Sequence, residues 1–360
     1  MSVAASSVQE QVATCTFCMK MCRFACPVVE ASKVETHTPF SKVQAYYHTL
    51  FNNEPMPEAD SSLAFLCTHC GLCTEHCKHE NPVHKILTEM RARYINSKLL
   101  NHEIRAGLEK AKLEYETKLS QAYDILRREL SDNDSIALSE INEKSLVFVP
   151  DYEAIRHSLK PALRIFKNLQ LKRPGVKILR EPIDSVFFFY QVGEIRQAEK
   201  VHENLVTILD LHRGAKFIFE SEEQYYGYNS LFDSLHSDRM LLLHNEVDIL
   251  ISLKHFQMQP SSFSLRLSGQ AYIDNLKVNH PQFVEAVPGG KKQSPAADAE
   301  FFGHLFPSIY REMLSRKWSE LLQQPGDIIF TSFFDYVQML KYKPSSCNRK
   351  IHYLMRFIQG

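Results

Sequence analysis

Glycine is scarce in this chain, at 12 of 360 residues, and tryptophan occurs once. No G-x-G-x-x-G fingerprint, Walker loop or nucleophile elbow occurs, so the common backbone cradles for phosphate and the usual acyl-transfer geometry are missing. The nearest approach, Gly289-Gly290-Lys291-Lys292, has no phosphate-loop strand before it and reads as a surface turn. Net charge is absent as well: Lys plus Arg and Asp plus Glu number 42 each. The chain therefore has no basic field with which to recruit nucleic acid or an anionic membrane. Long apolar runs are also lacking. The longest, Met240 to Leu253, is interrupted by His244, Asn245, Glu246 and Asp248 and is too short to span a bilayer. The first eleven residues have neither the basic start nor the apolar core of a secretory signal, so a cytoplasmic location is the expectation. Cysteine is nearly absent beyond residue 77, where only Cys347 occurs.

The other eight cysteines crowd between Cys15 and Cys77, in two quartets. The second, Cys67-Thr-His-Cys70-Gly-Leu-Cys73-Thr-Glu-His-Cys77, has the spacing C-x2-C-x2-C-x3-C that holds [4Fe–4S] clusters in bacterial ferredoxins. The first, Cys15-Thr-Phe-Cys18-Met-Lys-Met-Cys22-Arg-Phe-Ala-Cys26-Pro27, has the same shape with one residue added between its second and third thiols. A cube face is met by three thiolates from one short loop, and in two-cluster ferredoxins the fourth comes from the other motif. The spacing thus predicts two [4Fe–4S] clusters with crossed ligands. Cys15, Cys18, Cys22 and Cys77 hold one; Cys67, Cys70, Cys73 and Cys26 hold the other. Two all-thiolate zinc sites in a cross-brace would also use eight cysteines, although zinc sites present ligands as separated pairs more often than as such dense runs. Disulfides do not suit a reducing compartment.

The flanking sequence reads as helical. The residues before Ala13 are small and polar and are expected to be disordered. Pro27 and Pro39 suit first helical positions, and Asn81-Pro82-Val83 starts a helix on which Ile86, Leu87, Met90 and Tyr94 recur at helical spacing. Asn101 to Glu129 alternates opposite charges around an apolar stripe, as in a long, partly exposed connecting helix. From Ser145 the rhythm changes to strand and helix. Strands are expected at 145–150, 176–179, 216–219, 248–252 and 327–331, with helices over 154–169, 194–209, 225–235 and 336–340. Strands alternating with helices imply parallel βαβ units. The stretches Gly214 to Tyr225 and Pro325 to Tyr336 share a hydrophobic pattern, which suggests an internal duplication. The expected fold class is α+β and multidomain: a two-cluster helical lobe over residues 1–97, a helical linker over 98–140, and a duplicated α/β lobe with parallel sheets over 141–360.

This organisation resembles the heterodisulfide reductase C/D-subunit family, which includes the iron–sulfur subunits of glycolate oxidase and of anaerobic glycerol-3-phosphate dehydrogenase. Both quartets carry the likeness, with Thr38-Pro39…Lys42-Val43-Gln44 between them and Met90-Arg-Ala-Arg93 after them; beyond Ser145 it rests on pattern. Relatives of the D type hold further metal in each α/β repeat through a Cys-Cys-Gly and a Cys-x-x-Cys. Here Asp184 to Tyr190 contains no cysteine, Glu222 and Tyr225 stand at the first Cys-x-x-Cys, Glu285 to Gly290 lacks the second pair, and Phe333 and Tyr336 replace the last two thiols. The resemblance implies an electron-transfer subunit, with no catalytic residue of its own. Its partners would be a flavoprotein or ferredoxin donor and a reductase acceptor, with peripheral membrane association only through a partner. A catalytic reductase or dehydrogenase subunit with a site in the α/β lobe, and a zinc-binding interaction module, are the competing classes.

Around the quartets, His69, His76, His79 and His84 are expected to tune hydrogen bonding rather than ligate, because four thiolates already suffice for each cluster. Lys78 and Arg23 are candidates for favouring anionic clusters, or are solvated surface charges. Cys347 reads as an inert thiol beside Arg349 and Lys350.

Overall fold

A computed structural model describes residues 7–52, 56–221, 224–225, 227–228, 239–243, 260–264, 300–323, 327–330 and 333–353. The chain divides into two compact units. One comprises Met1–Lys112, Tyr190–Ile195 and Ser294–Glu320, and the other Leu113–Phe189, Arg196–Gln293 and Leu321–Gly360.

The first unit is helical. It opens with α1 (Val8–Thr16), where disorder was expected up to Ala13. The reason is a capping box: the Ser7 hydroxyl accepts the Glu10 amide and the Glu10 carboxylate accepts the Ser7 amide, so two orphan donors of the first turn are satisfied at once. Next come α2 (Pro27–Ser32), α3 (Pro39–Phe51), α4 (Ser61–Phe65), α5 (Leu72–Glu75) and α6 (Val83–Ser97). Pro27 and Pro39 occupy the first helical positions, as their fixed φ and missing N–H favour. On α6 the residues Val83, Ile86, Leu87, Met90 and Tyr94 are buried, as the helical spacing predicts. The 28-residue α7 (His102–Glu129) follows, and the boundary between the units falls within it, after Lys112.

The second unit is α/β. Its main sheet contains β1 (Ser135–Ile136), β2 (Leu146–Val149), β3 (Val176–Leu179), β4 (Lys216–Phe219) and β5 (Met240–Leu242). Their order is β1-β3-β2-β4-β5, and every pairing is parallel. Val147, Phe148, Val149, Ile178, Leu179 and Phe217 to Phe219 are all buried, so these strands read as near-continuous apolar runs, the mark of a covered parallel sheet. The helix expected over residues 154–169 is two helices, α8 (Tyr152–His157) and α9 (Leu159–Lys172), parted at Ser158, whose backbone is extended. α10 (Val186–Val192) and α11 (Ile195–Leu211) precede β4, separated by Gly193 at φ +89°. A second parallel sheet has the order β6 (Pro260–Ser264), β7 (Asp327–Phe330), β8 (Ile351–Tyr353). Of three further helices, α12 (Glu300–Leu305) and α13 (Pro307–Gln323), the latter up to Glu320, belong to the first unit, and α14 (Phe333–Lys341) belongs to the second. β4 and β7, whose sequences share a pattern, are both strands of parallel sheets. The architecture is α+β and multidomain, as the sequence predicts. The expected strand at 248–252, most of the helix at 225–235, the Gly-Gly-Lys-Lys turn and the Glu285 stretch lie outside the described residues.

Candidate metal centre

The first quartet is held by three different local devices. Cys15 sits in the last turn of α1, and the Cys18 amide donates back to its carbonyl at 3.2 Å. Lys20, at φ +65°, then turns the chain into a 3-10 helix, Met21–Ala25, that carries Cys22. Cys26 caps α2 from just outside it. Cys18, Cys22 and Cys26 are four residues apart, which on one continuous helix would line a single face; the left-handed turn and the tighter helix absorb the extra residue instead. The second quartet lies between α4 and α6. His69 (φ +58°) and Gly71 (φ +74°) bend the Cys67–Gly71 loop, the His69 amide lies 3.4 Å from the Cys67 sulfur as a hydrogen-bond donor, and Cys73 is carried by α5. Asn81 ties the two quartets together: its side-chain amide donates to the Gln11 carbonyl on α1 at 2.7 Å, and its own carbonyl accepts from the Thr74 hydroxyl at 3.1 Å.

The thiols gather in two cavities. Cys15, Cys18, Cys22, Cys73 and Cys77 line the larger, of about 250 Å³. Cys26, Cys67, Cys70 and Cys73 line the smaller, of about 20 Å³. Each cavity thus draws on both quartets: Cys26 joins the second quartet's thiols, Cys73 and Cys77 join the first quartet's, and Cys73 lines both. Among the described residues, no three His, Cys, Asp or Glu side chains form a group fit for a single ion. A tetrahedral zinc at ~2.3 Å from each sulfur would draw its ligands to within ~3.8 Å of one another. The donor chemistry suits iron–sulfur clusters: eight soft thiols gathered about two cavities, none in a disulfide. The larger cavity has room for a cluster. The smaller has room for about one water, so its thiols must part to receive one.

Burial dominates the thiol electrostatics. It pushes the Cys15 thiol up to about 12, reinforced by Cys22, Cys18 and Cys77, and the Cys22 thiol up to about 11, eased by a backbone hydrogen bond from Phe40. Cys73 is raised well above the ordinary range by burial and then by Cys70, Cys67 and Cys26. Holding metal here means releasing protons from thiols that would otherwise keep them.

Two cations are buried beside the smaller cavity, and neither was among the nominated residues. Lys42 is 1% exposed, lines the cavity, and donates to the Leu66 carbonyl. Arg91 is wholly buried. It donates to the carbonyls of Ala64 (2.7 Å), Cys67 (2.7 Å) and Gln191, contacts His69 Nε2 at 2.8 Å, and lies 5.2 Å and 5.0 Å from the ring centroids of Phe65 and Phe301. Burial lowers its pKa only to about 10, and Cys67 pulls it back up, so it is cationic at neutral pH. Both lie within the buried stripe of their helices: Pro39, Lys42, Val43 and Tyr46 on α3, and Leu87, Arg91 and Tyr94 on α6. A basic residue inside an apolar stripe is the signal that could have found them.

The nominated groups divide. His69 is buried and kept neutral, its pKa driven well below the ordinary value by burial and by Arg91; burial takes His84 down to about 4. Their rings pack 6.1 Å apart. His76, His79 and Lys78 are exposed. Arg23 pairs with Glu35 at 2.9 Å on the surface. The first quartet also presents large apolar side chains to solvent: Phe17 (78% exposed), Met19 (89%) and Met21 around the larger cavity, and Phe24 further along the chain.

In the α/β unit, the cysteine-free stretches singled out in the sequence hold packed rings. Phe188 and Phe189 on α10 are buried, and Phe188 stacks on Tyr115 at 4.3 Å and 6°. Tyr225 packs edge-on to Phe219 at 6.4 Å, and Tyr336 is buried. Cys347 is buried.

Residues 14–81 match the family described as a 4Fe-4S dicluster domain, a span that contains all eight clustered cysteines. No curated protein and no solved structure matches the chain. The cysteine-bearing unit is an iron–sulfur, ferredoxin-type domain, and its chemistry is iron–sulfur electron transfer. No helix among the described residues is long and apolar enough to cross a membrane.

Proposed function

We propose that the chain is a relay subunit that passes single electrons through two [4Fe–4S] clusters within a heterodisulfide-reductase-like oxidoreductase complex of the cytoplasm. Cys15, Cys18, Cys22 and Cys77 hold one cluster, and Cys67, Cys70, Cys73 and Cys26 the other. The observation that carries this reading is the gathering of the eight thiols about two cavities: Cys26 joins Cys67, Cys70 and Cys73 of the second quartet at one, and Cys77 joins Cys15, Cys18 and Cys22 at the other, which Cys73 also lines. When bound, each cluster supplies reversible one-electron chemistry. The chain's own residues do the rest. The thiolates fix the two centres, α3 and α6 exclude water from the Cys26 set, and the exposed Phe17, Met19 and Met21 offer a partner an apolar landing beside the Cys15 set. One electron arrives from a partner's reduced flavin or ferredoxin and one leaves to a reductase, with no proton or atom transferred. The α/β unit, with packed rings in those cysteine-free stretches, acts as docking scaffold.

Anaerobic purification followed by iron and acid-labile sulfide analysis tests the reading. About eight of each per chain are expected from two such clusters. A colourless protein containing zinc and no sulfide would overturn it in favour of an interaction module.

A further inference from the structure

We propose that Lys42 and Arg91 act as a built-in pair of counter-cations that makes the Cys26, Cys67, Cys70 and Cys73 set hold an added electron more tightly than the Cys15, Cys18, Cys22 and Cys77 set. The inference rests on the two-cluster relay reading and gives it a resting place for the electron. Burying a charge costs several kcal/mol in real proteins unless something compensates. Among the described residues Arg91 meets three carbonyls, a neutral imidazole and two aromatic faces, but no carboxylate. Lys42 meets one carbonyl. Carbonyls satisfy the donors without cancelling the charge. Two residues along the same helix the contrast is plain: Arg93, at the surface, pairs with the Glu89 carboxylate at 3.1 Å.

What compensates Lys42 and Arg91 is the thiolate set they adjoin. Lys42 lines its cavity, and Arg91 grips the Cys67 carbonyl while feeling the Cys67 sulfur. Reduction adds one negative charge there, and a buried cation is little screened, so the reduced state gains most. Among the described residues, the Cys15 set has no buried cation of this kind. Its nearby cations, Lys20 and Lys78, are exposed and screened by water. Hydrogen bonding to sulfur does not separate the two sets, because the His69 amide serves Cys67 while the Phe40 backbone and the Asn81 side chain serve Cys22 and Cys15. The electron therefore settles on the set flanked by buried charge, and the set beside the exposed apolar rim is where it is exchanged.

The test is a potentiometric titration of the full-length, anaerobically purified protein with dithionite, followed by electron paramagnetic resonance. The wild-type protein should give two resolved one-electron waves. K42M should move the higher wave downward by at least a tenfold change in its equilibrium constant, 59 mV for one electron, and leave the lower wave in place. R91Q should do the same, whereas R91K, which keeps the charge, should hold the wave near its wild-type position. Should R91Q fail to load iron, K42M and the wild-type waves still decide. Coincident waves in the wild-type protein, or a K42M variant in which the higher wave stays put or both move equally, would overturn the inference. With about eight irons and eight sulfides present those outcomes leave the relay reading standing; absent sulfide removes both.

Discussion

Tyr115 offers a direct measure of how the α/β unit is held together. Its ring is buried, stacks on Phe188 at 4.3 Å, and meets Tyr152 and Phe189 edge-on at 5.5 Å and 6.0 Å. Its hydroxyl oxygen accepts the buried Ser185 amide at 2.6 Å. Tyr115→Phe keeps every ring contact and strands that amide, which costs about 1–3 kcal/mol. Tyr115→Ala also removes the ring and opens a cavity between α7 and α10, raising the cost to about 4–6 kcal/mol when a large aromatic deletion is added to the lost hydrogen bond. For a unit of this size each kcal/mol lowers the midpoint by about 2–4 °C. Urea unfolding followed by far-ultraviolet circular dichroism reads the change, and iron content measured in parallel reads the cysteine-bearing unit. The reasoning fails if Tyr115→Phe unfolds with the wild type, if Tyr115→Ala costs no more than Tyr115→Phe, or if folded Tyr115→Phe protein loses its iron.

Three further outcomes follow from particular contacts. Crossed ligation predicts that Cys26→Ala halves the iron, from about eight to about four, and removes the same spectroscopic species as Cys73→Ala; loss of the species that Cys22→Ala removes would refute it. Gly193→Ala should destabilise by about 2–4 kcal/mol, because φ is +89° and an added Cβ would stand 2.5 Å from the Arg91 Cβ and 2.9 Å from the Ala92 amide nitrogen; a thermal melt matching wild type would contradict it. In metal-free, reduced protein the Cys15 thiol titrates near 12 against 9.0 when unperturbed, so its contribution is full below pH 9 and is lost as pH rises toward 12. At pH 10.5 the loss is on the order of 2 kcal/mol, seen as a steeper fall in urea midpoint between pH 8 and 10.5 for the metal-free chain than for Cys15→Ala. Equal slopes would show that the buried thiol is not the cause.

Much of this was legible in the residues because the signals were local. Cysteine spacing needs only the chain's own curvature, and proline at a first helical position needs only its fixed φ, so the quartets, α2, α3 and α6 could all be read directly. β2, β3, β4 and β7 declared themselves as short β-rich runs. The α1 helix was legible too, through Ser7-Val-Gln-Glu10, but small polar residues masked a capping box. β1 could not be read: two residues gain strand geometry only by pairing with Ile178 and Leu179, forty residues on. The break at Ser158 lies within an apolar pattern that runs on as though continuous. Arg91 and Lys42 escaped for a different reason. Their role depends on which carbonyls and thiols surround them, and Gln191 is a hundred residues from Arg91 in the chain. Spacing singled out exposed Lys78 and Arg23 instead, because proximity in sequence to a cysteine says nothing about depth.

The α/β unit leaves no room for a metal site where its aromatic rings meet. Phe188 stacks on Tyr115, Tyr225 packs against Phe219, and a Cβ added to Gly227 would come within 3.0 Å of the Phe187 nitrogen, so this region is filled to contact. Introducing sulfur there should therefore fail to create a metal centre. The double variant Phe188→Cys, Tyr225→Cys replaces one buried and one half-buried ring by small thiols and should cost about 3–5 kcal/mol, the range for deleting a large core aromatic. Its iron and sulfide per chain should equal those of the parent after anaerobic reconstitution. Iron above the parent's level, held through gel filtration and accompanied by a new paramagnetic signal, would mean that the lobe retains a latent metal site and that packing has not closed it.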